Sequence, residues 1–174
     1  MKTDFYIALT QLSASVVMGI LTVYLTKVIV TKYYKTKTGQ VNPYQNTSFM
    51  IFLSGTIFSV SYMVYGINEP LAETMRILQS QELSKSKLIL EYLRFAGMFL
   101  TLAYAFSAGV IFLAYKLFSI LTAQLDEYEE ISRNNIGVAI LVSVLTIVIA
   151  LFAHIAFIGF IQTFIPYPEM PTFI

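Results

Sequence analysis

Cysteine and tryptophan are absent from this 174-residue chain, histidine occurs once, and only 12% of its residues are charged. Each scarcity closes off a class of chemistry. Without cysteine there can be no disulfide, thiolate metal site, iron–sulfur cluster or thiol nucleophile, and the redox compartment cannot be read. A single histidine excludes any multi-histidine centre built within one subunit. With a net charge of +1 there is no basic field for nucleic acid, which is not expected as a partner. Soluble domains are about one-quarter charged, so the 57% hydrophobic content here points to lipid as the solvent.

What the chain does have is long uncharged runs. Crossing the hydrocarbon core takes about 20 mostly apolar residues in a helix. Four stretches qualify, predicting helices at about 5–30, 47–67, 92–121 and 136–165. Runs of this length are not barrel strands, and only a helix satisfies its own backbone within one segment in lipid. The expectation is an all-α, polytopic membrane protein: one membrane domain over 1–174 built as a four-helix bundle. The first run lacks a clean cleavage site and reads as a retained helix. A further helix over 70–88, lying at the interface or extending the third span, is suggested by Leu71, Met75 and Leu78 on one face. Three prolines in the 166–174 tail exclude a continued helix there.

Orientation follows from lysine and arginine in short loops. The first loop carries Lys27, Lys32, Lys35 and Lys37 with no acid, and the third carries Lys116 and Arg133 beside an acidic run. Lys2, Arg76, Lys85, Lys87 and Arg94 fall on the other side, a balance of six against five. The undiluted lysine cluster beside the first span decides for loops one and three in the cytoplasm, with both termini outside.

The chain also folds onto itself as two helix pairs, each second helix starting after asparagine: Asn46-Thr47-Ser48 and Asn134-Asn135-Ile136. Two spans per unit would relate the pairs by an axis along the membrane normal. Asn46-Thr47, followed after six residues by Ser54-Gly55-Thr56, resembles the first repeat of the YjfL-like family of small bacterial inner-membrane proteins. The run Glu130-Ile131-Ser132-Arg133-Asn134-Asn135-Ile136-Gly137-Val138-Ala139 is similar to that family's second asparagine-led start. Bulky Phe49, Met50 and Phe52 depart from its small-residue pattern. The resemblance implies a duplicated four-helix protein of the bacterial inner membrane, with no established biochemical activity.

Three candidate sites stand out. His154 is the ionisable residue deep inside a span, and such groups face a bundle interior, a partner or water. It reads as polar glue bonded across helices to Ser13, Ser59 or Tyr104, or else as an ion, proton or ligand site. Haem ligation through it would need a second subunit. Asn46 and Asn135 read as helix caps, or as two N-termini that together bind a lipid headgroup. The run Asp126, Glu127, Glu129 and Glu130 reads as a solvated face, or as a loop for a cation or a basic partner. Small residues at four-residue spacing, including Gly55 with Ser59 and Ala139 with Ser143, suit close helix packing.

No catalytic motif, metal-ligand pattern or cofactor site is present in the sequence. The expected function is therefore a non-enzymatic membrane subunit or scaffold of a bacterial envelope complex. Its partners would be the bilayer and either copies of itself or other membrane proteins. The alternative is an oligomeric channel or transporter for an ion or small molecule.

Overall fold

The computed structural model describes residues 2–81, 83–122 and 125–167, with side chains at Leu9 and from Leu12 onward. It contains α1 (Lys2–Thr38), α2 (Thr47–Tyr65), α3 (Asn68–Ser80), α4 (Lys85–Leu121), α5 (Glu127–Ser132) and α6 (Ile136–Gln162), with no strand among the described residues. Four of the helical runs, Leu12–Thr38, Thr47–Ser80, Lys85–Leu121 and Ile136–Gln162, are long and apolar enough to cross a membrane.

Two helices exceed the hydrocarbon-length expectation. α1 continues to Thr38, past Lys32 and Lys35, because nothing in that stretch breaks a helix and its late lysines complement the C-terminal dipole. It stops where Gly39 takes φ +70° and its N–H donates to the Lys35 carbonyl at 2.9 Å. α4 begins at Lys85, so the segment expected as one helix over 70–88 is divided. Its first part is α3, and its basic end opens α4. Only Gly66 and Ile67 separate α2 from α3, and both are buried. α3 buries Pro70, Leu71, Thr74 and Leu78 and packs on α4. Met75 is half-buried, displaced by Thr74 as the closest contact of that face. The Tyr167 hydroxyl donates to Glu73 at 2.7 Å, tying the chain beyond α6 to α3. The rest of the expected non-helical tail, 168–174, lies outside the described residues.

The bundle is organised around a parallel pair. α2 and α6 form the most extensive helix contact, α4 lies against both, and α1 packs on α2. A Cβ built on Gly55 would meet the Ser143 Cβ at 2.5 Å and its Cα at 3.0 Å. Only glycine permits this approach, which also lets Ser143 Oγ donate to the Ile51 carbonyl at 3.2 Å. Two apolar clusters flank the contact. One, with Met63, Ile67, Leu71, Phe99, Phe157 and Ile161, joins α2, α3, α4 and α6. The other, with Tyr34, Phe49, Phe52, Phe118, Ile131 and Val142, joins α1, α2, α4, α5 and α6 at the end where α2 and α6 begin.

Candidate functional site

That shared starting end gathers most of the residues singled out in the sequence. Asn46 caps α2, its Oδ1 accepting from the Phe49 N–H at 2.9 Å. Its Nδ2 donates to the carbonyls of Ile131 at 2.8 Å and Ser132 at 3.2 Å, some 85 residues away in the chain. Asn135 caps α6 in the same manner, accepting from the Val138 N–H at 3.2 Å, while its Nδ2 donates to Glu130 at 2.7 Å. Each cap satisfies one of the orphan amides of a first helical turn.

Asn134, which the sequence did not single out, completes the arrangement. It holds φ +62°, a left-handed conformation that asparagine tolerates better than most residues. In that geometry its Oδ1 accepts from the Ser48 N–H at 3.1 Å, so α2 is capped from both sides of the molecule. Gln40 adds a further bond from Nε2 to the Ser132 carbonyl at 2.8 Å. The signal available in the sequence was the Asn-Asn doublet itself, whose first member sits where a turn must reverse into α6. With both polar ends of Asn46 engaged inside the protein, these residues form a structural latch, while Asn135 makes its two bonds at the exposed surface.

The acidic run resolves into separate tasks. Asp126 caps the short helix α5, accepting from the N–H groups of Tyr128 at 2.9 Å and Glu129 at 3.1 Å. Glu129 pairs with Arg133, and Glu130 lies 3.7 Å from the same guanidinium while accepting from Asn135. Glu127 makes no ion pair among the described residues, and its carboxyl accepts from its own backbone N–H. It is half-buried, and burial, its largest influence, raises the carboxyl above the ordinary range; Asp126 adds to this and the Lys37 charge opposes it.

Glu127 faces a cleft of about 410 Å³ between α1, α4 and α5, lined also by Lys37, Lys116, Asp126, Ser119 and an aromatic group. Directly beneath it, an apolar fissure of about 320 Å³ runs between α1 and α4, over Phe52. Tyr33, Phe112, Tyr115 and Tyr128 line both spaces. The Tyr128 ring stands edge-on to Tyr33 and Tyr115, with centroids at 5.6 and 5.5 Å. Lys37 and Lys116 lie 5.9 and 5.8 Å from the centroids of Tyr33 and Phe112. No ion pair joins Glu127 to either lysine. In the sequence Lys37 and Lys116 counted only as loop charges setting orientation, and Glu127 only as part of the acidic run. Their convergence on one cleft depends on how α1 and α4 are placed, which no local pattern encodes.

His154 is remote from all of this, eighteen residues into α6 and so about 27 Å along the helix at 1.5 Å per residue. It is 7% exposed and packed against Tyr62, the ring centroids 4.1 Å apart and the planes inclined by 34°. Gly66 makes the room for it, since a Cβ there would meet His154 Cε1 at 2.7 Å. The expected cross-helix bonds are corrected here. Ser13 and Ser59 donate to carbonyls of their own helices, and Nδ1 of His154 is buried with no hydrogen-bond partner among the described residues. Hydroxyls four residues from an available carbonyl turn back to it, which spends the proton they could have donated to a neighbouring helix.

Four membrane-length helices around a closed parallel pair, joined at one end by an asparagine latch, define a multi-pass integral membrane protein. The chain belongs to the DUF350 family, a domain of unknown function, whose model matches residues 4–157. That match takes in the latch, the cleft and His154. No curated protein and no solved structure matches the chain.

Proposed function

We propose that this protein is a non-enzymatic membrane subunit or scaffold of a bacterial envelope complex, of the YjfL-like kind. The closed α2–α6 contact carries this reading. With Gly55 against Ser143, α2 and α6 approach too closely at that level to leave a passage between them. The hydroxyls of Thr22, Thr56, Ser107 and Thr146 accordingly donate to carbonyls of their own helices. Purified protein in sealed vesicles is expected to give proton and potassium fluxes no greater than protein-free vesicles. Flux that scales with protein content would overturn the scaffold reading.

The second reading, an oligomeric channel, has one observation in its favour. Gly97, Thr101, Ala105 and Gly109 form an exposed small-residue stripe on α4, with open space around both glycines. Close packing of copies along that stripe would create an interface outside the single chain. An Ala105→Leu change that abolishes flux while leaving the monomer folded would establish it.

The same proposal includes the arrangement in the membrane: the latch end in the cytoplasm, both termini outside, and the α1–α2 and α4–α6 pairs related by an axis along the membrane normal. Matching asparagine caps at one end of the bundle support the last point. Because the chain lacks cysteine, single replacements report without background. In intact cells an impermeant maleimide should label Ser84→Cys and spare Lys35→Cys; the opposite pattern inverts the topology.

A further inference from the structure

We infer that the cleft between α1 and α4 is a binding site for one phospholipid with a zwitterionic, amine-bearing headgroup. The inference goes beyond the scaffold reading and does not depend on it. Three features converge on this occupant. The lower space is an apolar fissure open between two membrane-length helices, walled by Ile29, Val30, Ala108 and Ile111, as an acyl chain requires. The upper space holds both charge signs on opposite walls, Lys37 and Lys116 on α1 and α4, and Asp126 and Glu127 at the start of α5. Between them lie the rings of Tyr33, Tyr115 and Tyr128, whose faces attract a cation. Each space lies in the range of ligand clefts, roughly 300–1,000 Å³.

The charge pattern selects among lipids. A phosphate placed near Lys37 and Lys116 is offset by the two ammonium groups, as any phospholipid would be. An ammonium extending from that phosphate can reach Glu127, which makes no ion pair with either lysine and, beyond a bond to its own backbone N–H, has acceptor capacity left for a ligand. Asp126 is partly committed to capping α5, leaving Glu127 as the principal anion of the wall. An uncharged polyol headgroup would leave the half-buried Glu127 with only the Lys37 charge to offset it. A second copy of the chain is a poorer occupant, because a helix would have to bring both a matching cation and a matching anion to the mouth.

The test is native mass spectrometry of the full-length protein released from mixed micelles containing equal phosphatidylethanolamine and phosphatidylglycerol with the same acyl chains. The expected result is one retained lipid, with phosphatidylethanolamine favoured about tenfold, the scale of one charge-assisted hydrogen bond. Glu127→Gln should erase that preference while lipid is still retained. The double change Lys37→Gln and Lys116→Gln should weaken retention of both lipids. Ala108→Phe fills the fissure from an exposed position and should abolish retention, with the thermal unfolding midpoint unchanged. Equal or greater retention of phosphatidylglycerol by the wild type would overturn the inference. So would undiminished retention by Ala108→Phe, or a lipid-free dimer whose cross-links map to the fissure.

Discussion

α2 and α1 are both apolar helices of membrane length, yet they sit in the bundle in opposite ways. Of the most apolar 18 residues in the span formed by α2 and α3, 56% are buried, against 17% of the corresponding stretch of α1. The residues that α1 does bury are Thr22, Thr26, Thr31 and Tyr34, while Leu12, Val16, Ile20, Leu21 and Ile29 are exposed. In water this distribution would be inside out. In lipid it follows from the solvent: acyl chains are as apolar as leucine, so burial of aliphatic side chains brings no hydrophobic gain. Close backbone approach and polar contacts decide what faces the bundle instead. α2 wins the centre because it offers Gly55, Thr56 and Ser59 on one face, all buried. The most apolar span, α6, has only a third of its window buried. In α1 and α2 apolar character alone therefore does not decide which face turns to the core.

The contrast can be broken most severely at Gly55. Gly55→Val must drive α2 and α6 apart, because even a Cβ meets Ser143 backbone at 3.0 Å. The expected loss is about 3 kcal/mol or more, at the upper end of overpacking costs. Gly19→Ala in α1 meets nothing within 4 Å and should be neutral or stabilising by up to about 1 kcal/mol. Reversible unfolding in bicelles would measure both, and equal effects at the two glycines would refute the contrast.

The two caps sharpen it at the next level. Asn46 makes a cap bond and two bonds to carbonyls of the α5 turn, whereas Asn135 makes a cap bond and one exposed bond to Glu130. Asn46→Ala is expected to lose about 2 kcal/mol and Asn135→Ala about 1 kcal/mol. A reversed order in the same unfolding assay would show that the latch is held from the α6 side.

A smaller effect is expected at His154. Replacing it with leucine gives up contact with Tyr62 but also removes a buried nitrogen that has no partner, and the two changes oppose each other. The net change should stay within about 1 kcal/mol. A loss above about 2 kcal/mol would instead show that the ring holds an unrecognised hydrogen bond.

The slightest effect is a pH dependence at Glu127. Burial raises its carboxyl in the folded state, so the folded protein binds more protons than the unfolded chain between the ordinary carboxylate value and the raised one. Stability therefore falls as pH rises through that window. Glu127→Gln should unfold at a higher midpoint than wild type at neutral pH, and the difference should vanish below the ordinary carboxylate value. A difference that persisted at low pH would rule out titration of this carboxyl as the cause.

Much of the architecture was legible because its signals are local. Span length, the absence of charge and the asparagines before α2 and α6 all act within a few turns, and the helices and caps stand where those signals put them. The ends of α1 and α4 ran past the apolar stretches because lysine and glutamate are good helix formers and apolarity does not set where a helix stops. What the sequence concealed were contacts between distant segments. Asn46 reaching Ile131, Asn134 reaching Ser48, and the meeting of Lys37, Lys116 and Glu127 all depend on tertiary placement. His154 misled for a related reason: candidate partners were chosen by depth, but their hydroxyls bond within their own helices.

The latch has a consequence for how the protein is made. Ser48 and Asn46 leave the ribosome some 85 residues before Asn134 and Ile131 exist. At 5–20 residues per second that is an interval of roughly 4–17 s. During it the first helical hairpin waits in the bilayer with an unsatisfied amide at the start of α2 and an asparagine lacking its carbonyls. Synthesis of the α5 turn and of Asn134 supplies the partners for both. The latch thus stays open until the α5 turn is made, and a chain truncated before α5 would lack every group that closes it.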